Sequence, residues 1–264
     1  MGVVNVTPDS FSDGGRFLAP EAAISHALEL TAQGAGIIDV GGESTRPGAT
    51  PVAAELECAR VIPVLSGLTA AGCRARLSID TSKLAVAEAA LAAGATYVND
   101  VTALRGDPEL AGLVADRGAD CCLMHMRGEP RTMQDSPRYD DVVDEVRAFL
   151  EARVAFAVGE GIAEERIWVD PGIGFGKSAA HNLELLGRLD ELVGLGRPVV
   201  VGTSRKSFLG QLAGGAGELE RLPGTIASNL VAWWRGASMF RVHDVAAVRA
   251  ALALASATVS ARDG

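Results

Sequence analysis

The sequence has few cysteines, no long apolar run and no signal-peptide pattern, so it lacks the features typical of secreted, membrane-bound or cysteine-rich metal-binding proteins. Its 264 residues include four cysteines without CxxC spacing, and Cys121 and Cys122 are adjacent inside an apolar run, which argues against disulfides or a cysteine metal site. The longest apolar runs, such as residues 250–255, are far shorter than the roughly 20 residues that cross a bilayer. The start of the chain lacks the basic and apolar segments of a signal peptide. We therefore expect a cytoplasmic protein with reduced thiols and no membrane partner.

Positive charge is also scarce. The chain has 24 Lys and Arg against 33 Asp and Glu, a net charge of −9, so its general surface is expected to repel nucleic acid and anionic membranes. An anionic substrate would need a local cationic pocket. The 48% of hydrophobic residues and the 31 glycines are enough for a large core with many tight connections between strands and helices.

The chain instead repeats one unit, in which an apolar strand, a polar loop and a helix follow each other. The eight predicted strands cover residues 3–6, 37–40, 77–80, 97–100, 121–126, 167–170, 199–203 and 239–242. Eight such units favour a closed (β/α)8 TIM barrel of the α/β class over an open sheet, and the length is near the ~250 residues typical of that fold. No linker divides residues 1–264, so we expect a single domain. Because the chain begins almost inside the first strand, the barrel floor is either closed by side chains alone or covered by residues before Met1.

Polar side chains follow every predicted strand at its carboxyl end, which is the edge of a (β/α)8 barrel that carries active sites. These residues are Asn5, Thr45, Arg46, Asp80, Asn99, Asp100, His125, Asp170, Ser204, Lys206, Arg241 and His243. Helix capping or solvent exposure could explain any one of them. The complete ring predicts an active site.

The closed barrel sorts this ring into two groups. The last strand adjoins the first, so Arg241 and His243 are expected to face Asn5 and to form a pocket for a phosphate or a metal-bound diphosphate. The second group, expected to lie deeper, consists of Asp80, Asn99, Asp170 and Lys206. Two carboxylates beside an amide suit a planar ligand with paired N–H donors, such as the edge of a heterocycle.

The glycine-rich run at residues 172–178 invites comparison with a phosphate-binding P-loop, but it lacks the required spacing before its Gly-Lys-Ser. Its glycines more simply allow the backbone to approach a ligand and expose Phe175 as a wall. His26 and His181 lie in helical patterns and are expected to be structural. His125 remains open between packing and the pocket.

Seven motifs in order resemble the dihydropteroate synthase family, the pterin-binding enzymes of folate biosynthesis. They occupy residues 5–15, 39–48, 78–81, 99–101, 170–177, 204–207 and 241–245, and the likeness extends from residue 3 to about 250. The resemblance implies a TIM barrel, usually a homodimer. It also implies a transferase that joins 6-hydroxymethyl-7,8-dihydropterin diphosphate to p-aminobenzoate and releases diphosphate with the help of Mg²⁺.

The resemblance further implies a role for each matching residue. The pterin site would consist of Asp80, Asn99, Asp170 and Lys206, with Arg241 stacked on the ring. The diphosphate and Mg²⁺ site would consist of Asn5, Arg241 and His243, with Asn5 as the metal ligand. The p-aminobenzoate pocket would consist of Phe11, Thr45, Arg46, Pro47, Phe175 and Ser204. Thr45, Arg46, Lys206 and Arg241 would be catalytic. The loops over residues 9–15 and 44–48 would stay mobile until substrates bind.

Two other functions remain open on the sequence alone. A corrinoid-linked methyltransferase domain also binds pterins on a related barrel, but it has no use for a diphosphate pocket at Asn5, Arg241 and His243. A pterin-binding paralogue without turnover is the other alternative, and the presence of Thr45 and Arg46 argues against it. Sensitivity to sulfonamide analogues of p-aminobenzoate is not encoded in the composition.

Overall fold

A computed structural model of the chain describes residues 1–7, 20–46, 48–215 and 217–261. The strands are β1 (Gly2–Asn5), β2 (Ile37–Gly41), β3 (Arg76–Asp80), β4 (Tyr97–Asp100), β5 (Asp120–Met124), β6 (Ile167–Asp170), β7 (Val200–Val201) and β8 (Met239–Phe240). The helices are α1 (Pro20–Ala32), α2 (Ala54–Ala70), α3 (Leu84–Ala92), α4 (Leu110–Arg117), α5 (Val142–Gly159), α6 (Ala179–Gly187), α7 (Leu189–Val193), α8 (Ser207–Leu212), α9 (Leu222–Trp234) and α10 (Val245–Ser260). Short 3-10 turns, Glu164–Arg166 and Glu218–Arg221, precede β6 and α9.

The strands close into a ring. β1 to β6 form one parallel sheet in sequence order, and β7 pairs with β8 in parallel. Single bridges between Gly2 and Val242 and between Val169 and Val199 join the two sheets at both edges. The Val3 amide donates to the Val242 carbonyl at 3.1 Å across the first of these seams. The predicted (β/α)8 barrel is confirmed.

The strands are apolar at consecutive positions because helices cover the outer face and side chains fill the interior. On β4, Val98 points outward into the main core, whereas its neighbours Tyr97 and Asn99 both point into the barrel. The same alternation builds an inner floor layer of apolar side chains, with Met1 packed against it. This layer contains Ile37, Tyr97, Cys122, Trp168, Val200 and Met239. Asn99, Asp170 and Arg241 lie two positions after the floor residues Tyr97, Trp168 and Met239, one layer above the floor.

Several predicted elements differ in extent from the structure. The fifth and eighth strands, predicted over residues 121–126 and 239–242, are observed as Asp120–Met124 and Met239–Phe240. The predicted seventh strand, residues 199–203, is reduced to the two residues of β7 because Thr203 onward turns toward α8. The predicted helix over residues 181–192 is divided at Arg188, whose φ of −114° and ψ of 26° are not helical, into α6 and α7. Arg188 lies between Asp141, Glu184 and Glu191, and its guanidinium bonds to all three carboxylates.

Cys121, Cys122 and His181 have structural roles, as expected from the sequence. All four cysteines are free thiols, and burial raises the pKa of Cys121 to about 12 and that of Cys122 well above its usual range. His181 completes a capping box with Ser178 at the start of α6. None of the helices in the described ranges has the length and apolar character needed to cross a membrane.

Candidate active site

Arg241 lies just beyond β8 and connects two carboxylates on other strands. Its Nε donates to Asp39 Oδ2 and its Nη2 to Asp80 Oδ2, both at 2.7 Å. These charge-assisted bonds join β8 to β2 and β3 across the mouth of the barrel. Asn5 lies in the same region, because its Oδ1 and Asp80 Oδ2 both come within 4 Å of the point where a Cβ on Gly41 would stand. The direct bridge between Gly2 and Val242 places the segment that carries Arg241 beside the first strand, as expected, and Arg241 and Asn5 both approach the Asp80 carboxylate.

Asp39 organises this end of the barrel and was not among the residues predicted from the sequence. Its side chain is fully buried, at 0% exposure. Oδ1 accepts from Ser78 Oγ at 2.5 Å, and Oδ2 accepts from Asn99 Nδ2 at 3.1 Å as well as from Arg241. A buried carboxylate is stable only when it is paired and hydrogen-bonded, as here. The sequence did contain a signal, since Asp39 interrupts an apolar strand two positions after the floor residue Ile37.

Asp170 ends β6 and presents an acceptor to the barrel mouth. Its Oδ1 accepts from the Gly172 amide at 2.6 Å, and the residue is 6% exposed. Among the residues that the structure describes, no donor reaches Oδ2. Burial raises the pKa of Asp170, and the positive charge of Lys206 opposes that shift. Asn99 is arranged similarly, because its amide nitrogen is used by Asp39 and its carbonyl oxygen remains available.

Lys206 faces the loop that follows β6. Its Nζ donates to the Ile173 carbonyl and lies 4.7 Å from the centroid of the Phe175 ring. Burial lowers the pKa of Lys206 to about 8, although Asp170 raises it. The side chain is therefore mostly protonated at neutral pH. Lys206, Asp170 and Phe175 thus form one wall of the site.

A buried lysine fixes the shape of that loop. Lys177, 3% exposed, donates to His125 Nδ1 at 2.9 Å and to the carbonyls of Gly172 and Phe175, both at 3.0 Å. Burial lowers the pKa of His125 to about 2, so the ring is neutral and Nδ1 accepts. His125 is hence a packing residue, which answers the question left open by the sequence. Lys177 was missed because the sequence does not show that its ammonium bonds to carbonyls of its own loop.

His243 and Ser204 form a pair beside Arg241. The Ser204 hydroxyl and His243 Nδ1 are 3.0 Å apart, and the His243 amide donates to the same hydroxyl at 3.2 Å. Burial, followed by the charges of Arg241 and Arg205, lowers the pKa of His243 to about 4. The imidazole is therefore neutral at pH 7. Ser204, expected in the p-aminobenzoate pocket, contacts His243 here.

The loop after β2 places Thr45 and Arg46 nearer the rim. Thr45 is half-buried, whereas the Arg46 side chain is 66% exposed and its Nη2 donates to Glu218 Oε1 at 3.2 Å. Arg46 therefore already contacts a carboxylate from the turn before α9. Phe11 and Pro47 lie outside the described residues, as do the predicted mobile residues 9–15.

The pterin-binding enzyme model matches residues 1–243. The chain belongs to the pterin-binding enzyme family. Dihydropteroate synthase of Escherichia coli K12 is 45% identical over 263 residues, which cover 100% of this chain and 92% of that protein. Dihydropteroate synthase of Neisseria meningitidis serogroup B is 48% identical over 259 residues, covering 96% and 90%.

Solved structures of family members superpose closely on this fold. The Xanthomonas albilineans dihydropteroate synthase with 4-aminobenzoic acid has 50% identity and a TM-score of 0.91, covering 97% of this chain and 91% of that chain. The Yersinia pestis dihydropteroate synthase in a sulfonamide drug complex has 43% identity and a TM-score of 0.92, covering 98% and 93%. The resemblance identified from the seven motifs is confirmed.

The resemblance to dihydropteroate synthase implies Mg²⁺, and the donor chemistry around Asn5 can be compared with that requirement. No group of three or more His, Cys, Asp or Glu side chains in the described part of the chain could hold a metal ion. Mg²⁺ usually keeps several waters and binds through one or two protein oxygens together with substrate phosphates. The Asn5 amide oxygen near the Asp80 carboxylate fits an ion of this kind, held largely by a diphosphate.

Proposed function

We propose that this protein condenses 6-hydroxymethyl-7,8-dihydropterin diphosphate with p-aminobenzoate to give 7,8-dihydropteroate and diphosphate. The main structural support is the buried network in which Arg241 bridges Asp39 and Asp80 at the barrel mouth, with Asn99 bonded to Asp39. Its full-length relatives are dihydropteroate synthases, and one superposed structure, from Xanthomonas albilineans, is a complex with 7,8-dihydropteroate. These facts favour a synthase over a methyltransferase domain.

In the proposed pterin site, each available polar atom has a complementary partner on the ring. Asp170 Oδ2 and the Asp80 carboxylate would accept N–H donors, and the Asn99 carbonyl oxygen would accept another. Lys206 would leave the Ile173 carbonyl and donate to a ring oxygen. Arg241, held flat by two carboxylates, would stack on the heterocycle. Binding would therefore use groups that are already oriented.

In the proposed diphosphate site, Arg241 and neutral His243 would bind the leaving group, and Asn5 would hold Mg²⁺. When bound, Mg²⁺ neutralises charge on the departing diphosphate. The bond between the pterin methylene and the diphosphate oxygen would break first, with its electron pair leaving on the diphosphate. Buried Asp80 and Asp170 would stabilise the cation that delocalises into the pterin. We infer from this arrangement a dissociative displacement.

The amine would then attack the methylene carbon and lose a proton to solvent. A neutral aromatic amine is itself nucleophilic, so no Ser, Cys or Lys nucleophile is required. Its pocket would be formed by Phe175 and Ser204 with Thr45 and Arg46, closed by Phe11 and Pro47. Loop closure would exclude water from the cation before the amine attacks.

A diphosphate-release assay with the purified protein tests this function. We expect release when both substrates and Mg²⁺ are present, together with formation of dihydropteroate. Slow release from the pterin substrate without p-aminobenzoate would support the dissociative order, and release only in step with amine consumption would contradict it. Tight pterin binding without any turnover would favour the non-catalytic paralogue instead.

Arg46→Ala is expected to spare pterin binding and to reduce turnover strongly, because Arg46 lies at the rim and contacts none of the pterin residues. We expect pterin affinity within about twofold of wild type and kcat/KM for p-aminobenzoate at least roughly 100-fold lower. Calorimetric titration with a pterin and steady-state kinetics measure the two quantities. Glu218→Gln is the control, because it breaks the same ion pair but keeps the arginine. An equal loss in both variants would assign the effect to the ion pair rather than to Arg46.

Pterin binding is expected to depend on pH with a maximum between about pH 7 and 8. Burial raises the pKa of Asp80 to about 7, against the charge of Arg241, so the carboxylate gains its acceptor charge as pH rises through 7. Lys206 loses its charge above its pKa of about 8. The free energy of unfolding should change in the opposite sense, falling as pH rises from about 4 to 7 while pterin affinity rises. A raised folded-state pKa makes Asp80 stabilising below its unfolded value of 3.8, and this contribution is lost as pH rises through 7.

Asp80→Asn is the matched variant for this pH profile. It is expected to flatten both the rise in pterin affinity and the fall in unfolding free energy between about pH 5 and 7, while the decline of affinity above pH 8 remains. Titration calorimetry and chemical denaturation at a series of pH values measure the two trends. A wild-type affinity that is constant from about pH 6 to 7.5 would contradict this role of Asp80.

We further propose that the protein is a cytoplasmic homodimer. Two helices that pack together, α9 and α10, present large apolar side chains to the outside, with Trp234 67% exposed and Leu254 71% exposed. Exposed apolar area of this kind is typical of association surfaces. Sedimentation velocity would give the mass of the particle, and a monomer at micromolar concentration would contradict the proposal.

A further inference from the structure

A partly buried ion-pair cluster lies immediately beside the loop that carries Thr45 and Arg46. Lys83, at the start of α3, donates its Nζ both to Glu43 and to Glu57, the latter at 2.5 Å. The Glu57 side chain on α2 is completely buried, and its Oε1 has no partner among the described residues. Burial lowers the pKa of Lys83, but the bonds to the two carboxylates raise it above its usual value, so the ammonium stays charged. We call Glu43, Glu57 and Lys83 the loop anchor.

The loop anchor fixes the first part of the loop after β2 from several sides. Glu43 Oε1 also accepts from the Val52 amide at 3.2 Å, which ties the beginning of the loop to its end. Arg60 on α2 donates to the Gly42 carbonyl at 2.7 Å. A Cβ on Gly42 would stand 3.0 Å from Glu57 Cγ, so the backbone passes directly against α2. Position 43 is therefore held at both its backbone and its side chain.

Stability alone does not explain this cluster. A fully buried carboxylate is costly to desolvate, and buried ion pairs are often no more stabilising than apolar side chains of the same volume. Glu57 moreover leaves one oxygen unsatisfied. What the ion pairs do supply is a fixed position for Glu43, two residues before Thr45 and three before Arg46.

We propose that Lys83, through Glu43 and Glu57, is a positioning residue that holds the loop after β2 in the conformation from which Thr45 and Arg46 reach the amine substrate. This inference rests on the proposed synthase function. The side-chain bonds of Lys83 and Glu43 go to each other, to Glu57 and to Val52, and none goes to Asp80, Asn99, Asp170 or Lys206. Burial is the main cause of the raised pKa of Asp80, but the Glu57 charge also contributes to it. At a pH where Asp80 is ionised, loss of the loop anchor should therefore affect the amine and not the pterin.

The test compares Lys83→Met with the double variant Lys83→Met/Glu57→Leu. The single variant leaves the Glu57 charge buried without its cation and is expected to be unstable. The double variant removes charge and partner together and restores an apolar contact, so its thermal stability should return close to wild type. Glu43 still has no cation in the double variant, so the loop remains unanchored. Arg76→Met is the matched control, because it breaks an ion pair with Asp120 at the opposite end of the barrel.

In the double variant we expect pterin affinity at about pH 8 to be within about twofold of wild type and kcat/KM for p-aminobenzoate to be roughly 10- to 100-fold lower, since small misplacements of binding groups have effects of this size. Affinity is compared at this pH because burial and, to a lesser degree, the Glu57 charge raise the pKa of Asp80, and Asp80 is mostly ionised there with or without Glu57. Amide hydrogen exchange over residues 43–52 should accelerate, which is a readout independent of activity. Lys83→Arg should recover part of the amine kinetics. The Arg76→Met control should show neither change.

The outcomes distinguish a failure of the proposed role of Lys83 from a failure of the proposed synthase function. A stable double variant with wild-type amine kinetics and unchanged exchange would overturn the role of Lys83 while leaving the synthase function intact. Amine kinetics that recover together with stability would also overturn it, because the cluster would then act only on folding. If the wild-type protein had no synthase activity but exchange over residues 43–52 were still faster in the double variant, the proposed function would be overturned and the loop anchor kept.

Discussion

Asp170→Asn is expected to abolish measurable pterin binding while leaving the protein folded. Asparagine can still accept from the Gly172 amide, so the local backbone keeps its 2.6 Å bond. The other oxygen becomes an NH₂ group that faces the N–H donors of the ligand, which removes one charge-assisted bond and adds an unpaired donor. Together these changes should weaken binding at least roughly 100-fold. Titration calorimetry with the pterin substrate measures the loss.

The control for this variant is Asp120→Asn. Asp120 is equally buried, at 8% exposure, and bonds to Arg76 and Arg166 at the amino end of β5, far from the barrel mouth. We expect lower thermal stability and unchanged pterin affinity. Wild-type pterin affinity in Asp170→Asn, or an equal loss in both variants, would refute the assignment of Asp170 to the pterin site.

Arg241→Met is expected to have the largest combined effect on stability and catalysis. It removes the cation between Asp39, which is 0% exposed, and Asp80, and breaking a buried pair from one side typically costs roughly 3–5 kcal/mol of unfolding free energy. The proposed stacking and diphosphate contacts disappear as well, so kcat should fall by several orders of magnitude. Urea denaturation and single-turnover diphosphate release measure the two effects.

Arg241→Met/Asp39→Asn separates these effects. Removing the Asp39 charge together with its partner should restore a large part of the stability, because Asn can still bond to Ser78 and Asn99. Catalysis should remain lost. If the double variant regained turnover along with stability, Arg241 would be only a structural residue, and the proposed stacking on the pterin would be wrong.

The fold was predictable because the same pattern of strand, loop and helix repeats regularly along the sequence. Eight apolar runs, each followed by a polar loop and a helical segment, fix the barrel, and alternation along each strand then places Asn99, Asp170 and Arg241 above the floor layer. The boundaries were less accurate, since the sequence does not show that Arg188, where α6 and α7 divide, also bonds to Asp141 at the start of α5. No local pattern encodes such a tertiary contact.

The structure brings several of the predicted strand-end residues together, but the bonds that connect them could not be read from the sequence. Strand-end position identified Asp80, Asn99 and Arg241, but the sequence could not say that a further carboxylate, Asp39, bonds to two of them. Lys177 was overlooked for a related reason, because a lysine in a glycine-rich run does not reveal that its partners are carbonyls of its own loop. Buried polar partners come from distant strands, and only the closed ring brings them together.

The two seams of the ring have a mechanical consequence. Ladders of several residues hold β1 to β6 together, whereas the short pair β7 and β8 is attached by one bridge on each side. Bonds from Met1 to the Phe240 carbonyl and from Val242 to the Met1 carbonyl reinforce the seam beside β1. Lys206 and Arg241 belong to that short pair, and Asp80, Asn99 and Asp170 belong to the larger sheet. Because the bonds of Arg241 to Asp39 and Asp80 span the seam beside β1, the seam between β6 and β7 is the weaker of the two. A slight displacement there would shift Lys206 relative to Asp170 while Arg241 keeps its place.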